Sequence, residues 1–370
     1  MSRVLPMLSL LAIGCGTLCD DPGVICTVVG DGRAGFNGEG LKASKTQLYY
    51  PTDVAPEPVT GRVFINDWNN EIIRAIDEDG RVQTLVGADE PGDGDDQHLE
   101  RTDEGAPGRT VALNHPLKLA FGPDGTLMIA AWHNHKLRAW DPIADRVRIV
   151  VADTDPDQGT GANAGFEGDG GPAKDALVWF PSSVTFDNDG TYYFVDEKNG
   201  RIRRVDTAGT IDTVAGSGTW GNVDGPCLDA AFRFPDDPMI GQPKPGGAIV
   251  SAGDGVLFVA DTYNGAVRKV DLAVHEVTTL ATDLTTPADL ALGPDGRLYI
   301  ADALGHAVFA MDVTTGDYER VAGTGAAGTG TDEVAATEST LNHPYGIGFD
   351  DAGALWIADT YNSKVRRVAP

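Results

Sequence analysis

Residues able to do chemistry recur at matching places along this chain. Two positions after a recurrent proline stand Asp53, Lys118, Ser183, Asp237, Asp289 and Gly346. If those positions face a common axis, three carboxylates, an ammonium and a hydroxyl converge at one mouth. Converging acids favour a cation, and Ca²⁺ takes several oxygen ligands. Asp53, Asp237 and Asp289 are therefore the candidate metal ligands. The competing reading is that each Asp accepts a nearby backbone N–H, with Lys118 neutralising the acids in place of an ion. A second set pairs a carboxylate with a guanidinium seven residues on: Asp67/Arg74, Asp196/Arg203, Asp261/Arg268 and Asp359/Arg366. Fourfold repetition marks architecture, because a half-buried carboxylate needs a cation or donors beside it. Ala131 with Arg138, and Asp302 with Phe309, break the pattern.

Other candidates are weaker. His133 and His135 flank Asn134, a His-x-His spacing that suits zinc, but the sequence offers no third ligand and a solvated turn is the reading. His115 and His343 sit in a repeated Leu-Asn-His-Pro. The acid-rich loop from Asp89 to Glu104 is read as solvated; so is the run Asp153-x-Asp155-x-Asp157, whose Gly stands at 159, one place late for an EF-hand loop, with no closing Glu. No G-x-S-x-G elbow, phosphate loop or dinucleotide fingerprint occurs, so no catalytic residue is assigned.

The elements that must position these residues repeat six times. Pro51, Pro116, Pro181, Pro235, Pro287 and Pro344 are spaced 65, 65, 54, 52 and 57 residues apart. After each comes a Val/Ile/Tyr/Phe-rich stretch of period two, a Gly turn, and a second stretch such as Leu298-Tyr299-Ile300-Ala301-Asp302. Asn follows three places later at Asn70, Asn134, Asn199, Asn264 and Asn362, read as the left-handed turn into a third strand. Four antiparallel strands per unit is a propeller blade. The sixth unit stops at Pro370 after its third strand, while Ile25 to Gly30 matches the fourth strand of the others. The expected fold is all-β: one six-bladed propeller over 25–370, closed by strand 25–30 completing the last blade, which leaves no edge to unzip.

The units resemble NHL repeats, as in Ala260-Asp261-Thr262-Tyr263-Asn264 followed by Val267-Arg268-Lys269-Val270. Near-copied loops, Gly35-Phe36-Asn37-Gly38-Glu39-Gly40 and Gly165-Phe166-Glu167-Gly168-Asp169-Gly170, are similar to those of bacterial members. The resemblance implies the fold and leaves the function open among binding scaffolds, sensor ectodomains and a few enzymes. In the family's amidating lyases zinc histidines directly follow the blade proline. Here Thr52, Leu117, Ser182, Asp236, Ala288 and Tyr345 stand there, which speaks against that activity.

Composition and the N-terminus bound the partners. Of 370 residues, 55 are acidic and 28 basic, a net charge of −27. Nucleic acid and anionic membrane surfaces would repel such a chain. Arg3, the apolar run to Ile13 and the small residues before Cys15 resemble a bacterial lipobox, with Ala12 standing where Leu is usual. The expected organisation is a signal peptide over 1–14, a tether over 15–24 carrying lipid on Cys15, and the propeller. A lipid on Cys15 would be the sole membrane attachment. Export permits disulfides. Cys26 and Cys227 belong to blades across the ring, which leaves Cys19–Cys26 as the local option. The favoured function is a monomeric, exported, non-enzymatic scaffold binding a protein or polysaccharide of the cell envelope, with Trp220 and Trp68 as aromatic anchors. The alternative is a Ca²⁺-dependent hydrolase, lactonase or lyase with its site in the central channel.

Overall fold

Six antiparallel sheets stand around one axis in a computed structural model that describes residues 17–88, 90–153, 164–235, 242–244 and 246–370. The expected signal segment over 1–14, Cys15, Asp89, Asp155, Asp157 and Asp237 lie outside the described residues. The innermost strands are Pro51–Pro56, Lys118–Phe121, Pro181–Phe186, Ala248–Gly253, Pro287–Leu292 and Pro344–Phe349. Each packs against the next, and the sixth packs against the first, so the ring is closed.

Closure uses the N-terminus, as the truncated sixth unit predicts. Val24–Val29 pairs antiparallel with Lys364–Val368, with Ile25 opposite Val368 and Thr27 opposite Arg366. A disulfide joins Cys19 to Cys26 on this strand, with Cα atoms 5.8 Å apart. Cys227 is a buried free thiol.

The blades are richer than four strands. In blades one, three, four and six a two-residue strand from the preceding loop adds a fifth: Leu41–Lys42, Gly171–Pro172, Gly225–Pro226 and Val334–Ala335. Val24–Val29 is thus flanked by Val334–Ala335 rather than outermost.

Six apolar clusters fill the six blade boundaries. Phe64 and Ile73 of blade one meet Leu119 and Ile129 of blade two, and Val28 and Trp356 of blade six meet Val54 and Ile65 of blade one. Second strands such as Val63–Asp67 and Leu127–Ala131 are buried along their whole length, because both faces of the sheet are covered. Strands farther out alternate, as in Arg81–Val86. This gradient explains why the sequence reads as continuous apolar runs near the axis and period two toward the rim.

The blade Asp and Arg lock the connecting loops. Arg268 and Asp261 are fully buried and 2.7 Å apart, and Arg268 also donates to the carbonyls of Ala231 and Val223. The Asn of each turn plays a different part from the one expected. Asn264 Nδ2 donates to Asp261 and to Gly221 O, while the left-handed residue is the next one, Gly265. Asn70 and Asn362 bond their Asp in the same way, Asn134 donates to Gly92 O alone, and the left-handed residue is again the next one, Glu71, Ser363 and His135. In blade two, where Ala131 replaces the Asp, Asp93 from the connecting loop supplies the carboxylate to Arg138 at 2.5 Å and also to Lys136.

Candidate functional site

One face of the ring gathers the segments that enter the inner strands and the short 3₁₀ turns that join second to third strands. The channel opens here into a narrow mouth lined by Thr52, Lys118, Ser182, Lys244, Ala248 and Tyr345 among others.

The channel floor holds five of the six predicted positions. Asp53, Lys118, Ser183, Asp289 and Gly346 occupy equivalent places, opposite Asn66, Ala130, Val195, Ala301 and Ala358 of their second strands. Blade four departs from the expected register. Its inner strand begins at Ala248, opposite Ala260, after an insertion that follows Pro235, so Ala248 takes the position assigned to Asp237.

These groups latch blades together. Asp53 Oδ2 accepts the N–H of Leu119 at 2.8 Å, Ser183 Oγ that of Ile249 at 3.2 Å, and Asp289 Oδ2 that of Ile347 at 2.8 Å. Odd blades supply the acceptor and even blades the donor. Lys118 Nζ reaches Asp53 Oδ1 at 2.7 Å and also bonds Asp289 Oδ2. Burial drives the Asp289 carboxyl up to about 6; Lys118 opposes this, and Asp53 adds to it. Lys118 itself is raised: burial disfavours its charge, and Asp289 and Asp53 outweigh burial. Gly346 permits the close seating of blade six on blade one, since a Cβ there would stand 2.6 Å from Asp53 Cα.

This arrangement does not fit Ca²⁺. The ion needs six to eight oxygens, and here an ammonium already sits between the two acids. Among the described residues no group of three His, Cys, Asp or Glu side chains is placed to hold a metal. Thr52 and Ser182, which follow their prolines, donate to Leu117 O and Gly247 O of the next blade and so serve the same latching.

Above the floor the mouth is walled by rings. Tyr50, His115, Phe180 and His343 immediately precede their prolines and carry φ of +54°, +49°, +56° and +54°. A left-handed bulky residue is strained, and its persistence requires over-determination by its surroundings. Tyr50 lies 5.1 Å from Tyr361, and His343 stacks on Tyr361 at 4.1 Å. The Tyr345 hydroxyl donates to Pro243 O at 2.7 Å, tying the blade-four insertion to blade six across the mouth.

Of the two expected anchors, Trp220 is 39% exposed and Trp68 is fully buried. Trp68 opens its 3₁₀ turn and packs in the mouth cluster with Leu117, Trp132 and Phe180, so it supports the face without contacting solvent. Trp220 and Trp179 flank Lys198, whose Nζ stands 5.0 and 5.8 Å from their ring centres, within cation–π range. Sequence reasoning missed this group because its members come from a loop, a strand entry and a turn.

His133 and His135 part company. His135 is buried, and its Nδ1 accepts the N–H of Phe180 at 3.2 Å. His133 turns toward His115, and His115 Nε2 lies 3.2 Å from Glu71. Burial raises Glu71 to about 8 and lowers His115 to about 4; burial, then His115 and His135, lowers His133 to about 3. In the acidic loop Asp93 is committed to Arg138 and Lys136, and Asp153 of the second acidic run pairs with the loop's Arg101 at 2.7 Å.

No family model matches the chain. The human NHL repeat-containing protein 2 is 27% identical over 379 residues, covering 90% of this chain and 49% of that protein, so the chain spans about half its relative's length. A solved auxiliary nutrient binding protein from Bacteroides ovatus superposes with a TM-score of 0.61 at 12% identity, over 94% of this chain and 76% of its own. A streptogramin B lyase superposes with a TM-score of 0.51 at 12% identity, over 90% and 96%. At such identities the solved structures speak for the fold alone. Repeats, closure and these likenesses agree: the chain is an NHL-repeat six-bladed β-propeller.

Proposed function

We propose that this propeller is a non-enzymatic binding scaffold that recognises a protein or polysaccharide of the bacterial cell envelope on the face around the channel mouth. One observation carries the reading. The groups at the axis that could act on a substrate, Asp53, Lys118 and Asp289, are spent on one another and on neighbouring blades, whereas the rings above them are presented on a strained, rigid frame. Tyr50, Tyr361 and Trp220 offer apolar faces with polar edges, the type of surface that stacks on sugar rings and anchors protein contacts. The nutrient-binding description of the Bacteroides ovatus structure is in keeping with such a role.

We further place the molecule outside the cytoplasm, attached by lipid on Cys15. The Cys19–Cys26 disulfide is the kind of bond that oxidising compartments favour. No helix among the described residues is long and apolar enough to cross a membrane. A monomer suits a ring closed on itself by its own N-terminal strand.

The test is calorimetric titration with purified envelope polysaccharides and envelope proteins, comparing wild type with Trp220→Ala and with Tyr50→Ala/Tyr361→Ala. An anchor residue contributes about 2 kcal/mol or more, so both variants should lose at least about tenfold in affinity while their melting curves stay near wild type. A ligand held equally tightly by wild type and both variants would place recognition elsewhere.

A further inference from the structure

Blades two and six share the sequence Leu-Asn-His-Pro, and in both the histidine Nδ1 sits 2.8 Å from the Oδ1 of the preceding Asn. That pair alone is therefore architecture. The two blades differ in what faces it. In blade six the second turn residue is Tyr361, stacked on His343, and the residue behind is His306, whose Nδ1 accepts the His343 N–H at 3.3 Å. In blade two the corresponding residues are His133 and Glu71. His133 Nδ1 lies 2.7 Å from His115 Nδ1 and 3.3 Å from Asn114 Oδ1.

Three atoms that can each offer a lone pair thus form a triangle with edges of 2.7, 2.8 and 3.3 Å. Hydrogen bonding satisfies it poorly. One imidazole proton, even shared, leaves another edge with lone pair against lone pair. A single cation would satisfy all three edges at once. Ligands about 2.1 Å from a metal are about 3.0 Å apart on an octahedral face and about 3.4 Å apart in a tetrahedron. The triangle is already close to the first and needs a few tenths of an ångström of opening for the second.

The surroundings also fit. His115 Nε2 lies 3.2 Å from Glu71 Oε1, and Glu71 Oε2 accepts the His115 backbone N–H, so the ring is oriented from behind by the Glu71 carboxyl group. That carboxylate–histidine arrangement accompanies metal-bound imidazole. The Trp132 ring stacks on His133 at 4.2 Å and fixes its plane. Asn114 and both histidines remain partly open to the face of the ring. Because the third donor is an amide oxygen, the site contains only two side chains of the His, Cys, Asp and Glu set.

We propose that His115 Nδ1, His133 Nδ1 and Asn114 Oδ1 form a binding site for one divalent transition-metal ion of the zinc class, with Glu71 as the positioning residue behind His115. Two imidazoles and an amide oxygen suit Zn²⁺, Co²⁺ or Ni²⁺ better than Ca²⁺ or Mg²⁺. The ion lies at the boundary of blades one and two, on the face that carries the mouth and apart from the Asp53–Lys118–Asp289 floor.

The experiment titrates Co²⁺ into chelator-treated protein, following visible absorption, and Zn²⁺ by competition. Wild type should take up one equivalent. His133→Tyr recreates the blade-six arrangement and should abolish binding with its melting curve retained. Glu71→Gln should weaken binding by about 10- to 100-fold, as expected for an outer-shell partner. Histidine-to-tyrosine replacement outside the site is controlled by His306→Tyr, which should bind as wild type. Absence of a one-to-one Co²⁺ complex in wild type, or equal binding by His133→Tyr, would overturn the proposal.

Discussion

Replacing Lys118 with Met removes the cation that sits between two buried acids and leaves the side-chain volume nearly unchanged. Asp53 is fully buried and Asp289 is 1% exposed, so neither can recover water in exchange. Breaking a buried pair by deleting one partner costs about 3–5 kcal/mol. Unfolding entropy near about 2.1 cal/mol/K per residue gives roughly 0.7 kcal/mol/K for about 350 ordered residues, so Tm should fall by roughly 4–7 °C at pH 7.5. The pH dependence has a definite sign. The Asp289 carboxyl stands at about 6 in the fold and near about 3.9 unfolded. A carboxyl raised by folding stabilises the native state below its unfolded pKa and loses that contribution as pH rises through the folded value. Without Lys118 the folded value moves higher still, so the deficit of the variant should be smaller at pH 5 than at pH 8. Thermal denaturation followed by circular dichroism at both pH values measures it. A Tm within 1 °C (about 0.7 kcal/mol by the same entropy) of wild type at pH 7.5, or a deficit that grows on acidification, would refute the ion-pair reasoning.

Two further outcomes follow from the packing. Arg203→Ala leaves Asp196 buried beside no cation, since Arg203 Nη1 supplies a contact at 3.1 Å, and should cost about 3–5 kcal/mol; Arg204→Ala, which breaks a half-exposed pair with Asp212, should cost under about 1 kcal/mol. Cys19→Ser opens a short loop and should cost about 2–3 kcal/mol by the chain-entropy rule, whereas deleting residues 1–30 removes the strand that closes blade six and should lower Tm much further; similar melting curves for the two would contradict closure by the N-terminus.

The sequence revealed the ring because its marks are local. A Pro opening each unit, an Asp ending five of the six second strands and an Asn three places on in five of the six units repeat regardless of the loops between them. Closure was legible for the same reason, as Ile25 to Gly30 repeats the fourth strand that the last unit lacks. Blade four misled because an insertion after Pro235 separates the proline from its strand, so counting two residues on reached Asp237 instead of Ala248. The fifth strands escaped notice because two residues carry no periodicity. Trp68, expected as an anchor, is buried, because loop position says little about burial when a turn folds back onto the mouth cluster. The partner of His133 was hidden because His115 comes from a strand entry and Glu71 from the neighbouring blade. The one clue was the shared Leu-Asn-His-Pro, in which blade two differs from blade six at the facing positions.

Whether the molecule recognises or transforms its ligand is decided most directly at the channel floor. Calorimetry with Ca²⁺ on wild type and on Asp53→Asn/Asp289→Asn addresses it, because both acids are already held by Lys118 and by the N–H groups of Leu119 and Ile347. A binding scaffold with a locked floor predicts the same negligible heat from both proteins. A saturable Ca²⁺ isotherm in wild type that disappears in the double variant would contradict it and make the channel a metal-dependent centre.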